Sequence, residues 1–139
     1  MFTIQHATIA DIPFCLQIDQ EISQSELQLK ISNRRYYLLN DQNISIGVMR
    51  YNLMYDTIPF LTLIYIVDEH HRKGYGTQAM KHWENEMRFL GFQYVMTSTQ
   101  SNEQGQFFYR KLGYKDCGCL LLDLPEWSQP LEIFMIKSL

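Results

Sequence analysis

One stretch constrains this chain more than any other. An apolar run from Phe60 to Val67 meets six polar residues, Asp68 to Lys73, then Gly74-Tyr75-Gly76, then a helical pattern. An apolar run bounded by turn formers reads as a buried strand, here Thr57–Val67, with Pro59 near its start, where a missing donor is tolerated. Ala79, Met80, Trp83, Met87 and Leu90 recur at helical spacing and Gly91 ends the pattern, which predicts a helix over Gly76–Leu90. A strand that feeds a basic, glycine-containing turn and then a helix turns unpaired amides toward an anion.

The remaining patterns extend this unit into a mixed α/β sheet. Phe2–Ala7 reads as a short strand. Thr8 is placed to cap a helix over Ile9–Ile22, and Ser25–Ile31 reads as a weaker helix. Tyr36–Leu39 and Ile44–Asn52 read as strands joined by the turn formers Asn40, Asp41 and Asn43. Phe92–Thr99 is a further strand. Ser101 or Asn102 is placed to cap a short helix that stops at Gly113. Tyr114–Leu124 and Leu131–Ile136 close the chain as an antiparallel hairpin around a loop, Pro125–Pro130. After residue 57 the order is strand, helix, strand, helix, strand, strand.

With 139 residues, the chain is expected to form one domain over 1–139 with a core of its own. Its net charge of -3 argues against a nucleic-acid partner, which favours a basic excess. No apolar run approaches the roughly 18 residues of a membrane span, and the N-terminus lacks the pattern of a secretory signal. Cys15, Cys117 and Cys119 are odd in number, so a reducing cytoplasm is expected and a disulfide scaffold is not. On a strand Cys117 and Cys119 share one face, but no second Cys/His pair supplies the remaining ligands, so no metal is expected.

The glycine turn supports two chemistries. Gly74-Tyr75-Gly76-Thr77-Gln78-Ala79 matches the form G-x-G-x-x-A of a nicotinamide dinucleotide fingerprint. That motif starts directly at a strand end and needs an acidic residue about 20 positions on. Here the six polar residues intervene, and Gln93–Ser98 offers no carboxylate. The same amides serve another phosphate equally well. Those from Arg72 to Thr77 precede the first helical bond, and the helix dipole adds about 0.3–2 kcal/mol for an anion. Gly74 and Gly76 admit close backbone approach, and Arg72 and Lys73 bring charge. A plain solvated turn capping a helix is the third possibility.

Read with its surroundings, the sequence resembles the GCN5-related N-acetyltransferase (GNAT) family. The family's phosphate motif is Q/R-x-x-G-x-G/A between a strand and a helix. Here it reads His71-Arg72-Lys73-Gly74-Tyr75-Gly76, with His71 in place of Gln or Arg. A second family pattern, N-x-x-A followed by Tyr and K-L-G-F, is met by Asn102-Glu103-Gln104-Gly105 and by Tyr109-Arg110-Lys111-Leu112-Gly113-Tyr114. Gly105 replaces the usual Ala, which weakens a helix by roughly 0.5–1 kcal/mol.

The resemblance implies a mostly antiparallel sheet with a splayed central parallel pair, flanked by helices and ending in a β-hairpin. It implies acetyl transfer from acetyl-coenzyme A to an amine of a small molecule or peptide, with no covalent enzyme intermediate. Residues 71–77, His71 to Thr77, would hold the pyrophosphate. Backbone groups of Ile64, Tyr65 and Ile66 would pair with the pantetheine arm, and Asn102 would hydrogen-bond the cofactor. Tyr109 would protonate the departing thiolate; a phenol near pKa 10 suits a thiolate near 8.5.

The general base is left open. Phe60–Val67 contains no carboxylate, and Thr97 stands five positions before Asn102, where some family members carry Glu. Asp56, His70, Glu103 and a water chain remain as candidates. The acceptor is expected near Ile18–Ser32 and Pro125–Pro130, with Tyr51, Tyr55 and Trp127 as aromatic walls. Asp19, Glu21 and Glu26 either attract a cationic amine or are ordinary exposed carboxylates. A monomer or homodimer is expected. A non-catalytic acyl-CoA-binding or regulatory domain is the alternative function, and an NAD(P)-binding oxidoreductase the third.

Overall fold

The computed structural model describes residues 1–139. Its elements follow the chain as β1 (Phe2–His6), a 3₁₀ turn (Ile9–Asp11), α1 (Ile12–Ile18), α2 (Gln24–Ser32), β2 (Tyr36–Asp41), β3 (Ile44–Met54) and β4 (Ile58–Ile66). A second 3₁₀ turn (Asp68–His70) leads to α3 (Tyr75–Phe89), β5 (Tyr94–Gln100) and α4 (Gly105–Lys111). Then come β6 (Lys115–Leu120), β7 (Asp123–Leu124), β8 (Trp127–Ser128) and β9 (Glu132–Ser138). The hydrogen-bonded order of the seven-stranded sheet is β1-β2-β3-β4-β5-β9-β6. β4 and β5 run parallel, whereas β1–β2, β2–β3, β5–β9 and β6–β9 are antiparallel.

Three expectations are corrected. The helix foreseen over Ile9–Ile22 is a 3₁₀ turn followed by α1, which stops at Asp19, an extended residue. Thr8 does form a capping box with Asp11, but it caps the 3₁₀ turn. The cap of α4 is Gln104 rather than Ser101 or Asn102, which lie in the turn before it. The loop Pro125–Pro130 is part of a small hairpin, in which Leu124 pairs with Trp127. The joint between β2 and β3 is formed by Gln42 and Asn43, both left-handed at φ 52° and 67°. That is the backbone of a two-residue hairpin turn, which Asn tolerates better than most residues.

The chain folds as two compact units: Met1–Asn52 with Thr62–Trp83, and Leu53–Leu61 with Glu84–Leu139. In the first, Cys15, Leu27, Tyr36, Leu38 and Val48 form a buried cluster against which Ile12, Phe14, Leu16 and Leu63 pack. β2 is buried throughout: the apolar run Tyr36–Leu39 is followed by Asn40 and Asp41, whose side chains accept hydrogen bonds from Ser45 and Tyr75. In the second, Val95, Met87 and Met135 are fully buried and Phe60 packs on Phe134, 5.8 Å between centroids. Alternate residues of β5 are buried there, Val95, Thr97 and Thr99 among them.

Candidate active site

In the first unit, β4 ends at Ile66 and the chain turns through Asp68–His70 before α3 starts at Tyr75. Arg72 at φ 65° and Gly74 at φ 77° are both left-handed. Such turns line up successive backbone N–H groups into a concave anion site. The first intrahelical bond runs from the Gln78 amide to the Gly74 carbonyl, 3.1 Å, so the amides of Tyr75, Gly76 and Thr77 precede the helical ladder. Gly74 carries open space where a Cβ would be, and Arg72 and Lys73 are exposed. Residues His71–Gly74 lead into a 15-residue helix whose first turn holds Tyr75, Gly76 and Thr77.

His71 sits where the family pattern has Gln or Arg, and its ring turns back on the loop. Its Nε2 lies 2.5 Å from the Ile66 carbonyl, while Nδ1 is 3.8 Å from Asp68. The side chain thus closes the turn instead of facing a ligand. A Cβ on Gly47 would overlap the Tyr65 carbonyl, so that carbonyl faces β3. Backbone groups alternate along a strand, which turns those of Ile64 and Ile66 the other way.

A carboxylate not singled out for this site in the sequence anchors the loop. Asp41, at the end of β2, accepts a 2.8 Å hydrogen bond from the Tyr75 hydroxyl. The same Oδ2 lies 3.3 Å from His70 Nδ1, and the amino group of Met1 is 3.8 Å from Oδ1. The Tyr75 bond, helped by positive charge nearby, holds the Asp41 carboxyl below the usual range, and that bond in turn raises the Tyr75 phenol. His70, one of the candidate bases, lies beside Asp41 with no hydrogen bond to its buried Nδ1.

In the second unit, the paired register of β4 and β5 comprises Phe60 with Met96 and Leu61 with Thr97. Thr97 is buried and its hydroxyl donates to the Leu61 carbonyl at 3.1 Å. Tyr109 is 8% exposed on α4, packed edge-on against Phe108 and Tyr114. Burial pushes its phenol up, an effect partly offset by the Thr97 hydroxyl and reinforced by Glu103. A phenol raised in this way is fully protonated at neutral pH. Glu103 accepts from the Gln100 amide at 3.0 Å, so this second candidate base serves the β5–α4 turn. Asn102 is exposed in that turn. Asp56 is exposed in a left-handed turn at φ 60°, at the opposite end of β4 from Ile66.

Two acceptor-side expectations are also corrected. Asp19 is 3% exposed, not a surface carboxylate: Arg50 Nε donates to it at 2.8 Å and the Tyr36 hydroxyl at 2.9 Å. Arg50 also donates to Thr62 Oγ1 at 3.0 Å. A paired, buried carboxylate has no charge left to attract a free amine. Tyr51 is no aromatic wall either. It is buried against Tyr37 and Trp83, with the Arg35 guanidinium 5.9 Å from its ring centroid. Tyr55 and Trp127 are exposed, as are Glu21 and Glu26.

A mixed sheet with one parallel strand pair, a glycine turn at the head of the following helix and a short helix carrying a buried tyrosine define an acyltransferase type of fold. The chain belongs to the acetyltransferase (GNAT) family, whose model matches residues 6–114. Among solved structures, Ard1 from Thermoplasma volcanium aligns with a TM-score of 0.83 and 17% identity, over 99% of this chain and 97% of that one. The ribosomal-protein-S18-alanine N-acetyltransferase of Escherichia coli aligns at 0.81 and 16%, over 99% and 94%. A GNAT acetyltransferase from Elizabethkingia anophelis with acetyl-CoA bound aligns at 0.79 and 17%, over 99% and 98%. At these identities the likeness is one of fold. No curated protein matches the sequence. With the family established, the dinucleotide reading of Gly74–Ala79 loses its support; a 3₁₀ turn separates those glycines from β4.

Proposed function

We propose that the protein is an acetyl-CoA-dependent N-acetyltransferase, working as a single domain over residues 1–139 in the cytoplasm. Its acceptor is a primary amine of a small molecule or peptide. Support comes above all from the turn at the head of α3, where two left-handed residues and the first helical amides make an anion cradle in a chain of this family. His71 to Thr77 would hold the coenzyme A pyrophosphate, mainly through main-chain amides. Ile64, Tyr65 and Ile66 would lie along the pantetheine arm, and Asn102 would contact the cofactor. Acetyl-CoA supplies an activated thioester.

The amine, once deprotonated, attacks the thioester carbonyl; a C–N bond forms and the C–S bond breaks. Tyr109 gives its phenolic proton to the departing sulfur, and the proton that the nitrogen sheds on becoming an amide returns through water to the phenolate. Its raised pKa keeps that proton in place through the neutral range, and a thiolate near 8.5 accepts it. The candidate side chains have little to offer as a base: Thr97 is uncharged, Glu103 is engaged in the β5–α4 turn, Asp56 is exposed in the turn before β4, and His70 is enclosed beside Asp41. Proton loss from the amine is therefore assigned to water. The same lack of a carboxylate favours the second reading, an acyl-CoA-binding domain without turnover.

An amine and peptide panel with free-thiol detection separates the two. Thiol release with at least one amine is expected; acetyl-CoA binding with no release across the panel would establish the binding domain. Tyr109→Phe should lower kcat by about 10²-fold or more, the span of general acid catalysis, while largely sparing acetyl-CoA affinity. The wild-type rate should rise with pH as the amine deprotonates, with no fall from Tyr109 below about pH 10, because its folded pKa is raised. Wild-type turnover in the Phe variant would remove Tyr109 from the acid role.

A further inference from the structure

The loop His71–Gly74 is short and strained: Arg72, a residue with a Cβ, is held left-handed at φ 65°. L-residues avoid this region, so something must hold the turn in place. The two residues that flank the loop both reach one atom. His70, just before it, brings Nδ1 to 3.3 Å from Asp41 Oδ2; Tyr75, just after it, donates its hydroxyl to the same oxygen at 2.8 Å. The Tyr75 ring is further fixed by stacking flat on Phe2, with centroids 4.3 Å apart and planes 6° apart, and it lies over His70 at 6.5 Å. Asp41 itself is 9% exposed and sits at the end of β2, whose six residues are all buried.

We propose that Asp41 is a positioning residue for the phosphate loop: its hydrogen bond to Tyr75, with His70 packed beside the same oxygen, presets the left-handed turn between them. This rests on the reading of that loop as the coenzyme A pyrophosphate site. An anion cradle is useful in proportion to how little it must reorganise on binding. With Tyr75 hydrogen-bonded to a buried strand and His70 packed beside the same carboxylate, the amides from Arg72 to Thr77 keep their directions before the ligand arrives. Asp41 is not a contact of the ligand. A carboxylate beside a pyrophosphate would repel it, and here the charge is spent on the Tyr75 hydroxyl and on positive groups, Lys73 among them. Asp41 therefore serves twice. It ends β2 at the β2–β3 connection, and it fixes a loop some 30 residues further along the chain, between His70 and Tyr75.

The test compares two acetyl donors that differ only in the phosphate-bearing part, acetyl-CoA and S-acetyl-pantetheine, in Asp41→Ala and Asp41→Asn. Asp41→Ala should raise the KM for acetyl-CoA by about tenfold, the lower end of the loss seen when the partners that orient ligating groups are removed. It should leave the KM for S-acetyl-pantetheine within about twofold. Asp41→Asn keeps an acceptor for the Tyr75 hydroxyl and should recover part of the loss. Isothermal titration with coenzyme A should show the same ranking without turnover. Equal losses with both donors would mean a general structural role and overturn the proposal; so would unchanged acetyl-CoA affinity. Failure of the wild-type protein to bind coenzyme A would instead refute the reading of the loop.

Discussion

At the residue scale, the departures from the family pattern have local causes that the sequence did not display. Gly105 stands where the family has Ala, and a helix position should favour Ala by about 0.5–1 kcal/mol. A Cβ there would lie 2.9 Å from Thr99 Oγ1 and 3.6 Å from the Tyr109 ring. Thr99 is 7% exposed and β-branched, so its side chain has few places to go. Overpacking of this kind costs about 1–3 kcal/mol, which outweighs the gain in helix propensity. Gly105→Ala should therefore destabilise the protein by about 1 kcal/mol in urea unfolding. In a Thr99→Ala background, where the overlap is gone, the same change should become neutral or stabilising. A stabilising effect in the wild-type background would show that Gly105 is not there for lack of space. The glycine was visible in the sequence; its partner was not, because Thr99 and Gly105 meet only when β5 and α4 are folded together.

At the scale of elements, strand and helix identities were legible wherever the apolar period was long, as in β4 and α3. Ends were less legible. α2 begins at Gln24, one residue before the Ser25 start read from the sequence, because the Ser23 hydroxyl accepts from the Glu26 amide at 3.2 Å and caps it there. α1 was misjudged because its end is set by a tertiary contact: Asp19 leaves the helix to meet Arg50 and Tyr36. A signal existed. Arg50 interrupts the apolar pattern of β3, and a charge inside a buried strand requires a buried partner. Removing one member of such a pair strands the other. Arg50→Met should cost about 3–5 kcal/mol, since Asp19 would be left charged and enclosed. The double variant Arg50→Met with Asp19→Asn should recover a good part of that loss. Additive losses in chemical denaturation would mean that the two residues do not work as a pair.

At the scale of the whole molecule, the sequence carried the class of fold but not its seams. The insertion of β9 between β5 and β6 is a long-range pairing with no local signal. The division into two compact units falls inside β3, β4 and α3, with no linker or composition change to mark it. Of those three, α3 bears on cooperativity. A helix gains stability by propagating along its length, and α3 runs on from one unit into the other, so neither can unfold to its boundary without shortening that helix. One cooperative transition is therefore expected, with amide protection in β2 and in β5 lost together as urea rises. Acetyl-CoA at 100 times its Kd should add about 2.7 kcal/mol and raise the melting temperature by roughly 10 °C, moving β2 and β5 as one. NAD should leave it unchanged. Gly74→Asp should abolish the acetyl-CoA shift by setting a carboxylate at the cradle; its left-handed φ of 77° strains any side chain, so the shift is read against the variant's own ligand-free melting temperature. Separate transitions for β2 and β5 would refute the single-domain reading. A shift that survives in Gly74→Asp would refute the loop as the phosphate site, and a shift with NAD alone would refute acetyl-CoA as the ligand.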